Sequence, residues 1–263
     1  MTSQEQRGET FRALHVGEPF VIPNPWDAGS ARALAALGFK ALATTSSGFA
    51  FTLGRLDGGA TLDEVAAHVA LLTHTTDLPI SVDLENGYGA NPETAAHAIE
   101  RVAEAGAVGG SIEDYDPSGR IYELEHAAER VAAAVEAARR LPFPFMLTAR
   151  AENHIRGKPD LEDTIARLGA YERAGADVLY APGLRTPEEI RAVCEAASKP
   201  VNVLAVPTLS FAQIVEVGAQ RISVGGALTW VAAKALADAA TAIRDRGDFS
   251  ALAARVPLDE WFG

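Results

Sequence analysis

Short runs of β-branched and other apolar residues alternate along the chain with longer alanine-rich stretches of helical periodicity. Each pair fills roughly thirty residues, the size of a βα unit. The runs predict strands at Phe20–Pro23, Ala41–Thr44, Ile80–Asp83, Gly109–Ile112, Phe145–Thr148, Val178–Tyr180, Val201–Val203 and Arg221–Val224. The helices between them open on recognisable caps. Thr61-Leu62-Asp63-Glu64 has the form of a capping box, and Asn91 and Thr186 each precede a proline at the first helical position. Ala105-Gly106-Ala107 and Ala174-Gly175-Ala176 read as helix-to-strand turns, with glycine expected in the left-handed C-cap conformation.

Eight strands, each followed by a helix, make either a (β/α)8 TIM-type barrel or a large doubly wound sheet. The even size of the units and the lack of a dinucleotide-binding fingerprint favour the barrel. No Pro/Gly/Ser-rich linker divides the chain, so residues 1–263 are read as one domain. Residues 1–18 form a leading helix placed to cover the bottom of the barrel. Residues 227–263 form a C-terminal helical extension, longer than closure requires. Its Leu258, Trp261 and Phe262 are too apolar to leave exposed, and pack either on their own barrel or on a neighbouring subunit.

Composition narrows the partners. A net charge of −12 argues against nucleic acid and anionic membranes. Cys194 is the single cysteine, so neither an internal disulfide nor a cysteine metal cluster is available. The N-terminus is polar with no apolar run behind it, and no apolar stretch reaches membrane-spanning length. A cytoplasmic protein is expected.

Polar residues collect at the C-terminal ends of the predicted strands, where barrels of this type carry their chemistry. Asn24, Trp26 and Asp27 follow strand one, and Thr45, Ser46, Ser47 and Gly48, then Asp57, follow strand two. Strand three delivers Asp83 and Glu85, strand four Glu113, Asp114 and Asp116, and strand five Arg150, Glu152, Asn153 and His154. Tyr180, Asn202 and Gly225-Gly226 close strands six to eight, while the opposite ends hold mostly Gly, Ala, Leu and Pro. Strand alternation places Asp83 and Glu85 on the same side. Two like charges held together are unfavourable unless a cation or a shared proton compensates them.

Asp57, Asp83, Glu85 and Glu113 offer oxygen ligands from three successive strands without histidine or thiolate. That donor set favours Mg2+ or Mn2+ over zinc. Because Mg2+ keeps several waters, one acid is expected to touch the ion and the others to hold its waters. The forked guanidinium of Arg150 suits a substrate carboxylate or phosphonate, the bland alternative being that it neutralises Glu113 or Glu152. Ser46, Ser47 and Gly48 offer hydroxyl and N–H donors to a small oxyanion, and Asn202 is a further substrate-binding candidate. Taken singly, Asp27 and Asp114 read as a helix cap or an ion-pair partner. His68, His74 and His97, like Cys194, sit in helical patterns and read as packing or surface residues. Lys40, Lys158, Lys199 and Lys234 lie off the inward strand ends, which disfavours a Schiff-base enzyme.

Several segments together resemble the isocitrate lyase/phosphoenolpyruvate mutase superfamily over nearly the whole chain. They are Asn24-Pro25-Trp26-Asp27-Ala28-Gly29-Ser30-Ala31, Thr45-Ser46-Ser47, Leu56-Asp57, Asp83-Leu84-Glu85-Asn86-Gly87-Tyr88-Gly89, Gly110-Ser111-Ile112-Glu113-Asp114 and Thr148-Ala149-Arg150-Ala151-Glu152. The resemblance implies a (β/α)8 barrel, a requirement for Mg2+, and action on 2-oxo acids or their enolates with a C–C or C–P bond made or broken beside the carbonyl. It also implies a homo-oligomer, a tetramer or dimer, in which a C-terminal helix is exchanged between paired subunits. By the same resemblance Asp83 binds the metal directly, and Asp57, Glu85 and Glu113 hold metal-bound waters. Ser46 or Ser47 with Gly48 binds the substrate carboxylate or enolate oxygen, and Arg150 the transferred group or distal carboxylate. Asp57, Glu113 and Arg150 are thus the catalytic candidates.

Two departures bear on the reaction. Isocitrate and methylisocitrate lyases carry a Lys-Lys/Arg-Cys-Gly-His segment after strand four, where this chain reads Asp116-Pro117-Ser118-Gly119-Arg120-Ile121-Tyr122-Glu123. The phosphonopyruvate branch has a histidine at the end of strand six, where this chain reads Leu179-Tyr180-Ala181-Pro182-Gly183. The resulting expectation is a Mg2+-dependent lyase acting on a small 2-oxo or 2-hydroxy carboxylate, in the manner of an oxaloacetate decarboxylase. The alternatives are a phosphonopyruvate or carboxyphosphonoenolpyruvate C–P mutase or hydrolase, and a non-catalytic 2-oxo acid binding protein.

Overall fold

The computed structural model describes residues 2–263. In chain order the elements are α1 (Gln4–Leu14), β1 (Phe20–Ile22), α2 (Ala28–Ala36), β2 (Leu42–Ala43), α3 (Ser46–Thr52), α4 (Leu62–Thr75), β3 (Ile80–Asp83), α5 (Pro92–Glu104), β4 (Gly109–Glu113) and the hairpin β5 (Tyr115–Asp116) and β6 (Arg120–Ile121). They continue with α6 (Leu124–Arg139), β7 (Met146–Arg150), α7 (Leu161–Arg173), β8 (Val178–Tyr180), α8 (Pro187–Ala196), β9 (Val201–Leu204), α9 (Phe211–Glu216), β10 (Arg221–Ser223), α10 (Ala227–Arg246) and α11 (Leu258–Phe262).

Eight strands form one parallel sheet in the order β1-β10-β9-β8-β7-β4-β3-β2. Its two edges meet through single bonds rather than a ladder. The Ala43 N–H donates to the Pro23 carbonyl at 3.1 Å, and Asn24 Nδ2 donates to the Thr44 carbonyl at 2.9 Å. The sheet is therefore a nearly closed barrel, as the strand–helix alternation predicts. All eight predicted strands are present, with ends displaced by a residue or two.

Alternation along each strand sorts the side chains. Val82, Ile112, Ala149, Leu179, Val203 and Ile222 are buried in the apolar layer between sheet and helices. Their neighbours Asp83, Ser111, Arg150, Tyr180, Asn202 and Ser223 line the interior. The caps behave as predicted at Thr61 and Thr186, which form capping boxes, whereas Asn91 makes no side-chain cap bond and leaves the start of α5 to Pro92. Gly106 and Gly175 both take φ +100°, the left-handed turn that ends a helix before the next strand.

The leading helix is α1, and it closes the bottom of the barrel. Phe11 is fully buried in a cluster with Phe20, Ile22, Ala41, Val108, Met146 and Val178, residues from the N-terminal ends of the strands. The C-terminal extension consists of α10, a short 3-10 turn at Ser250–Ala253, and α11. Only Thr229 of the twenty residues of α10 is buried. The tail folds back on its own barrel through α11, where the Arg32 guanidinium lies 5.8 Å from the Phe262 ring centroid. Two elements are additional to the sequence expectation: α3, which follows β2 directly, and the β5–β6 hairpin after β4.

Candidate active site

A cavity of about 220 Å3 opens at the C-terminal end of the barrel, lined by Asn24, Ser46, Asp57, Asp83, Arg150 and Tyr180 among others. Beside it a second recess is walled by Asp57, Glu85, Glu113, Tyr115, Arg150 and Arg156. The four predicted metal-site acids thus border one mouth, and Ser46, Ser47 and Asn202 line the first cavity with Asp57 and Asp83.

Arg150 organises the centre. It projects from the end of β7, nearly buried, and its Nη1 donates to Asp83 Oδ1 at 2.8 Å. Nη2 pairs with Glu113 Oε2 at 2.9 Å, and Nε and Nη2 both donate to Glu152 Oε1 at 3.0 and 2.8 Å. Its ring neighbour is Tyr180, 5.3 Å from the guanidinium carbon. The surrounding acids hold the guanidinium protonated against the cost of burial. Arg150 therefore does what the bland sequence reading allowed, neutralising Glu113 and Glu152, and it also reaches Asp83.

Asp83 ends β3. Its backbone N–H donates to Thr44 Oγ1 at 2.9 Å, and its Oδ2 accepts the Ser46 N–H at 3.2 Å. Glu85 reaches the site by a route that strand alternation does not describe. The strand stops at Asp83, and Glu85 lies in the following turn at φ +50°, with Tyr88 at +61°. A non-glycine residue in the left-handed region costs roughly 1 kcal/mol or more and persists where its surroundings enforce it. Here Gly87 tucks under α5, where a Cβ would sit 2.9 Å from Ala95 Cα. Burial, then repulsion from Asp83 and Asp57, raises the Glu85 pKa to about 7. Glu113 is buried deeper, and desolvation lifts its pKa well above the carboxylate range despite Arg150.

The remaining predicted donors divide. Ser46 and Ser47 open α3 at the cavity wall, but the Gly48 N–H is directed at Thr45 Oγ1 (3.4 Å) as part of the helix cap. Asn202 donates from Nδ2 to Ser223 Oγ at 2.9 Å inside the barrel. Asp27 caps α2 by accepting the Ser30 N–H at 2.7 Å. Asp114 is an internal anchor: it accepts from Tyr171 Oη, Arg167 Nη1 (3.1 Å) and the Glu152 N–H (2.8 Å). Among the described residues, no three His, Cys, Asp or Glu side chains converge to hold a cation. Arg150 stands between Asp83, Glu113 and Glu152.

Three groups escaped the sequence reading. Arg156 pairs with Glu152 Oε2 at 3.1 Å and Glu113 Oε1 at 3.3 Å, and its guanidinium carbon lies 3.8 Å from the Tyr115 ring centroid. Its spacing of four from Glu152 was the available signal. Arg130 ties the strand-end loops together from α6, and Arg221 enters the cavity from the first residue of β10. The β5–β6 hairpin occupies the place of the lyase gate segment, with Pro117 at its tip against the second recess.

Similar chains are found both among solved structures and by sequence. A structure described as a "putative lyase/mutase" from Burkholderia cenocepacia J2315 is 51% identical, covers 98% of this chain and 95% of its own, and superposes with a TM-score of 0.95. A "putative phosphonomutase" structure from the same organism is 37% identical, with 94% and 100% coverage and a TM-score of 0.86. An uncharacterized protein of Mycobacterium tuberculosis is 35% identical over 88% of this chain and 87% of its own length. The oxaloacetate decarboxylase of Paraburkholderia xenovorans is 33% identical over 56% of this chain and 50% of its own. The phosphoenolpyruvate phosphomutase family model matches residues 11–244. With its barrel, its strand-end acids and no cysteine in the segment Asp116–Glu123 that follows β4, the chain belongs to that family, in a branch of the isocitrate lyase/phosphoenolpyruvate mutase superfamily without the lyase Cys-Gly-His segment.

Proposed function

We propose that the protein is a Mg2+-dependent lyase that cleaves a C–C bond in, or decarboxylates, a small 2-oxo or 2-hydroxy carboxylate through an enolate. Oxaloacetate is the first substrate to test. The observation that carries this reading is the charge balance at the cavity mouth. Among the described residues, Asp57, Asp83, Glu85, Glu113 and Glu152 meet two guanidinium groups at the mouth, those of Arg150 and Arg156, and Glu85 is raised to about 7 partly by its acidic neighbours. Oxygen donors in excess, without thiolate or imidazole, suit Mg2+ or Mn2+.

Asp83 would hold the ion directly, since a carboxylate has lone pairs left after accepting from Arg150 and Ser46. Asp57, Glu85 and Glu113 would hold its waters. When bound, the ion supplies Lewis-acid stabilisation of the charge that develops on a 2-oxo oxygen. Ser46 and Ser47 orient the substrate carboxylate from the opening turn of α3. Arg150, fixed by Glu113 and Glu152, holds positive charge beside that carboxylate. The plugged barrel bottom keeps water to the mouth, from which the product carbanion can take its proton. Decarboxylation asks least of the chain, because carbon dioxide leaves without a protonated leaving-group oxygen.

A panel of 2-oxo acids assayed with Mg2+ or Mn2+ tests this. Turnover is expected, abolished by chelator and reduced at least ~100-fold in Asp83→Ala, the loss typical of a group acting in the transition state. No turnover across the panel sinks the proposal, and oxalate binding without turnover assigns a 2-oxo acid binding protein instead. The likeness to a phosphonomutase favours C–P chemistry as the second reading. Phosphorus NMR with phosphonopyruvate decides it, a new resonance being required. The uncovered α10 supports a homo-oligomer, dimer or tetramer, in which this helix packs on a neighbouring subunit.

A further inference from the structure

Beneath the acidic mouth the cavity ends on a cation. Arg221 is the first residue of β10, 5% exposed, and it lines the same cavity as Asp83 and Ser46. Its Nε donates to Asn202 Oδ1 at 2.8 Å, its Nη2 to Thr148 Oγ1 at 2.9 Å, and its Nη1 to His15 Nε2 at 3.2 Å. All three partners are neutral. His15 is held near pKa 3 by burial and by Arg221, and its Nδ1 lies 2.8 Å from the Phe11 carbonyl. That places the imidazole proton on Nδ1 and leaves Nε2 as the acceptor. Among the described residues no carboxylate pairs with Arg221, whereas Arg150 meets three and Arg156 two.

A guanidinium does not shed its proton, and an unpaired buried charge is costly. Two of its five N–H groups remain beyond the three bonds described. The wall beside it carries Ser81, Ser111 and Ser223, which are polar but uncharged. At ~30 Å3 per water the cavity has room for roughly seven waters, or for a compact diacid and a few of them. Its two ends are thus oppositely charged: carboxylates that favour a cation at the mouth, and a guanidinium lacking an anion at the floor.

We propose that Arg221 is an anion subsite that receives the second carboxylate of a short dicarboxylate substrate. The end assigned to each carboxylate rests on the lyase reading, with the 2-oxo acid end toward Asp83; the anion subsite does not. Specificity follows, because a monocarboxylate leaves Arg221 without its partner.

Calorimetric titration of the Mg2+-loaded protein with malonate and with acetate tests this in wild type, Arg221→Gln, Arg221→Lys and His15→Ala. Loss of a charge-assisted pair predicts malonate affinity lower by about 10- to 100-fold in Arg221→Gln, with partial retention in Arg221→Lys and acetate affinity changed less than about 3-fold. His15→Ala, which removes the acceptor of Arg221 Nη1 and the ring contacts with Phe11 and Phe20 but no group that lines the cavity, keeps malonate affinity within about 2-fold. Equal losses for both ligands, or the same malonate loss in His15→Ala, would mean that Arg221 only braces the fold and would overturn the proposal. If Arg221→Gln does not fold, a wild-type crystal structure with malonate decides: a carboxylate within hydrogen-bond distance of the guanidinium supports the subsite, and its absence refutes it. Metal-dependent turnover with unchanged malonate affinity in Arg221→Gln removes this assignment alone. Malonate seated on Arg221 with no turnover of any 2-oxo acid removes the lyase reading alone.

Discussion

Arg130 is a fully buried guanidinium that holds the acids in place without touching them. It donates to the Glu113 carbonyl at 3.1 Å, the Gly89 carbonyl at 3.0 Å and the Asn86 carbonyl, and it lies 4.6 Å from the Tyr122 ring centroid. The end of β4 and the turn after β3 are thereby tied together, and these two segments carry Glu113 and Glu85. Arg130→Met should leave three carbonyls short of a partner, lowering stability by roughly 2–5 kcal/mol and weakening the Mg2+ binding proposed above. Thermal melts and a Mg2+ titration measure both, and an unchanged melting temperature would exclude the role. The sequence carried a trace of it, since Arg130 falls on the buried face of α6 with Ala127, Val131 and Ala134. Glu85 was found for an incomplete reason: alternation ends with the strand at Asp83, and the left-handed turn that brings Glu85 back depends on how Gly87 packs against α5.

At the scale of elements, the strands were legible because each repeats one pattern, with apolar residues facing the helices and polar or small residues facing the interior. The α3 helix and the β5–β6 hairpin were not, because seven- and two-residue elements are too short for a period to show. The leading helix was legible in the sequence, and so was its place over the barrel bottom; the residue that makes the seal was not. Phe11 seals the strand ends, so Phe11→Ala should cost about 3–5 kcal/mol, read as a lower urea midpoint. A loss under about 1 kcal/mol would mean that α1 merely lies on the surface. The residue that caps the C-terminus of this helix contributes an acid-sensitive link. His15 is depressed from 6.5 to about 3, so the native state takes up its proton later than the unfolded chain. Its contribution is complete above about pH 6.5 and is lost as pH falls toward 3, by at most about 1.4 kcal/mol per pH unit. Unfolding free energies at pH 7, 6, 5 and 4 should therefore decline less steeply in His15→Gln than in wild type, and parallel slopes would contradict the assignment.

At the scale of the whole molecule, the longest helix, α10, packs little on the barrel. A barrel of this kind buries each of its helices against the sheet, yet the last one leaves Trp230, Val231 and Leu236 about half or more exposed. The short α11 folds back to α2, so the chain beyond the barrel splits between a segment that finds its own surface and a segment that does not. A twenty-residue helix with one buried residue gains too little from its own packing to be held out from the barrel. A neighbouring subunit covering that face resolves the imbalance, and symmetry would let each copy cover the other. Light scattering should then give a mass of at least twice 27.7 kDa for the wild type. Val231→Glu combined with Leu236→Glu should shift the population toward the monomer and lower thermal stability, because each charge would have to be buried in the contact. A wild type that is monomeric at micromolar concentration would refute the contact, and a double variant that assembles as before would place it elsewhere.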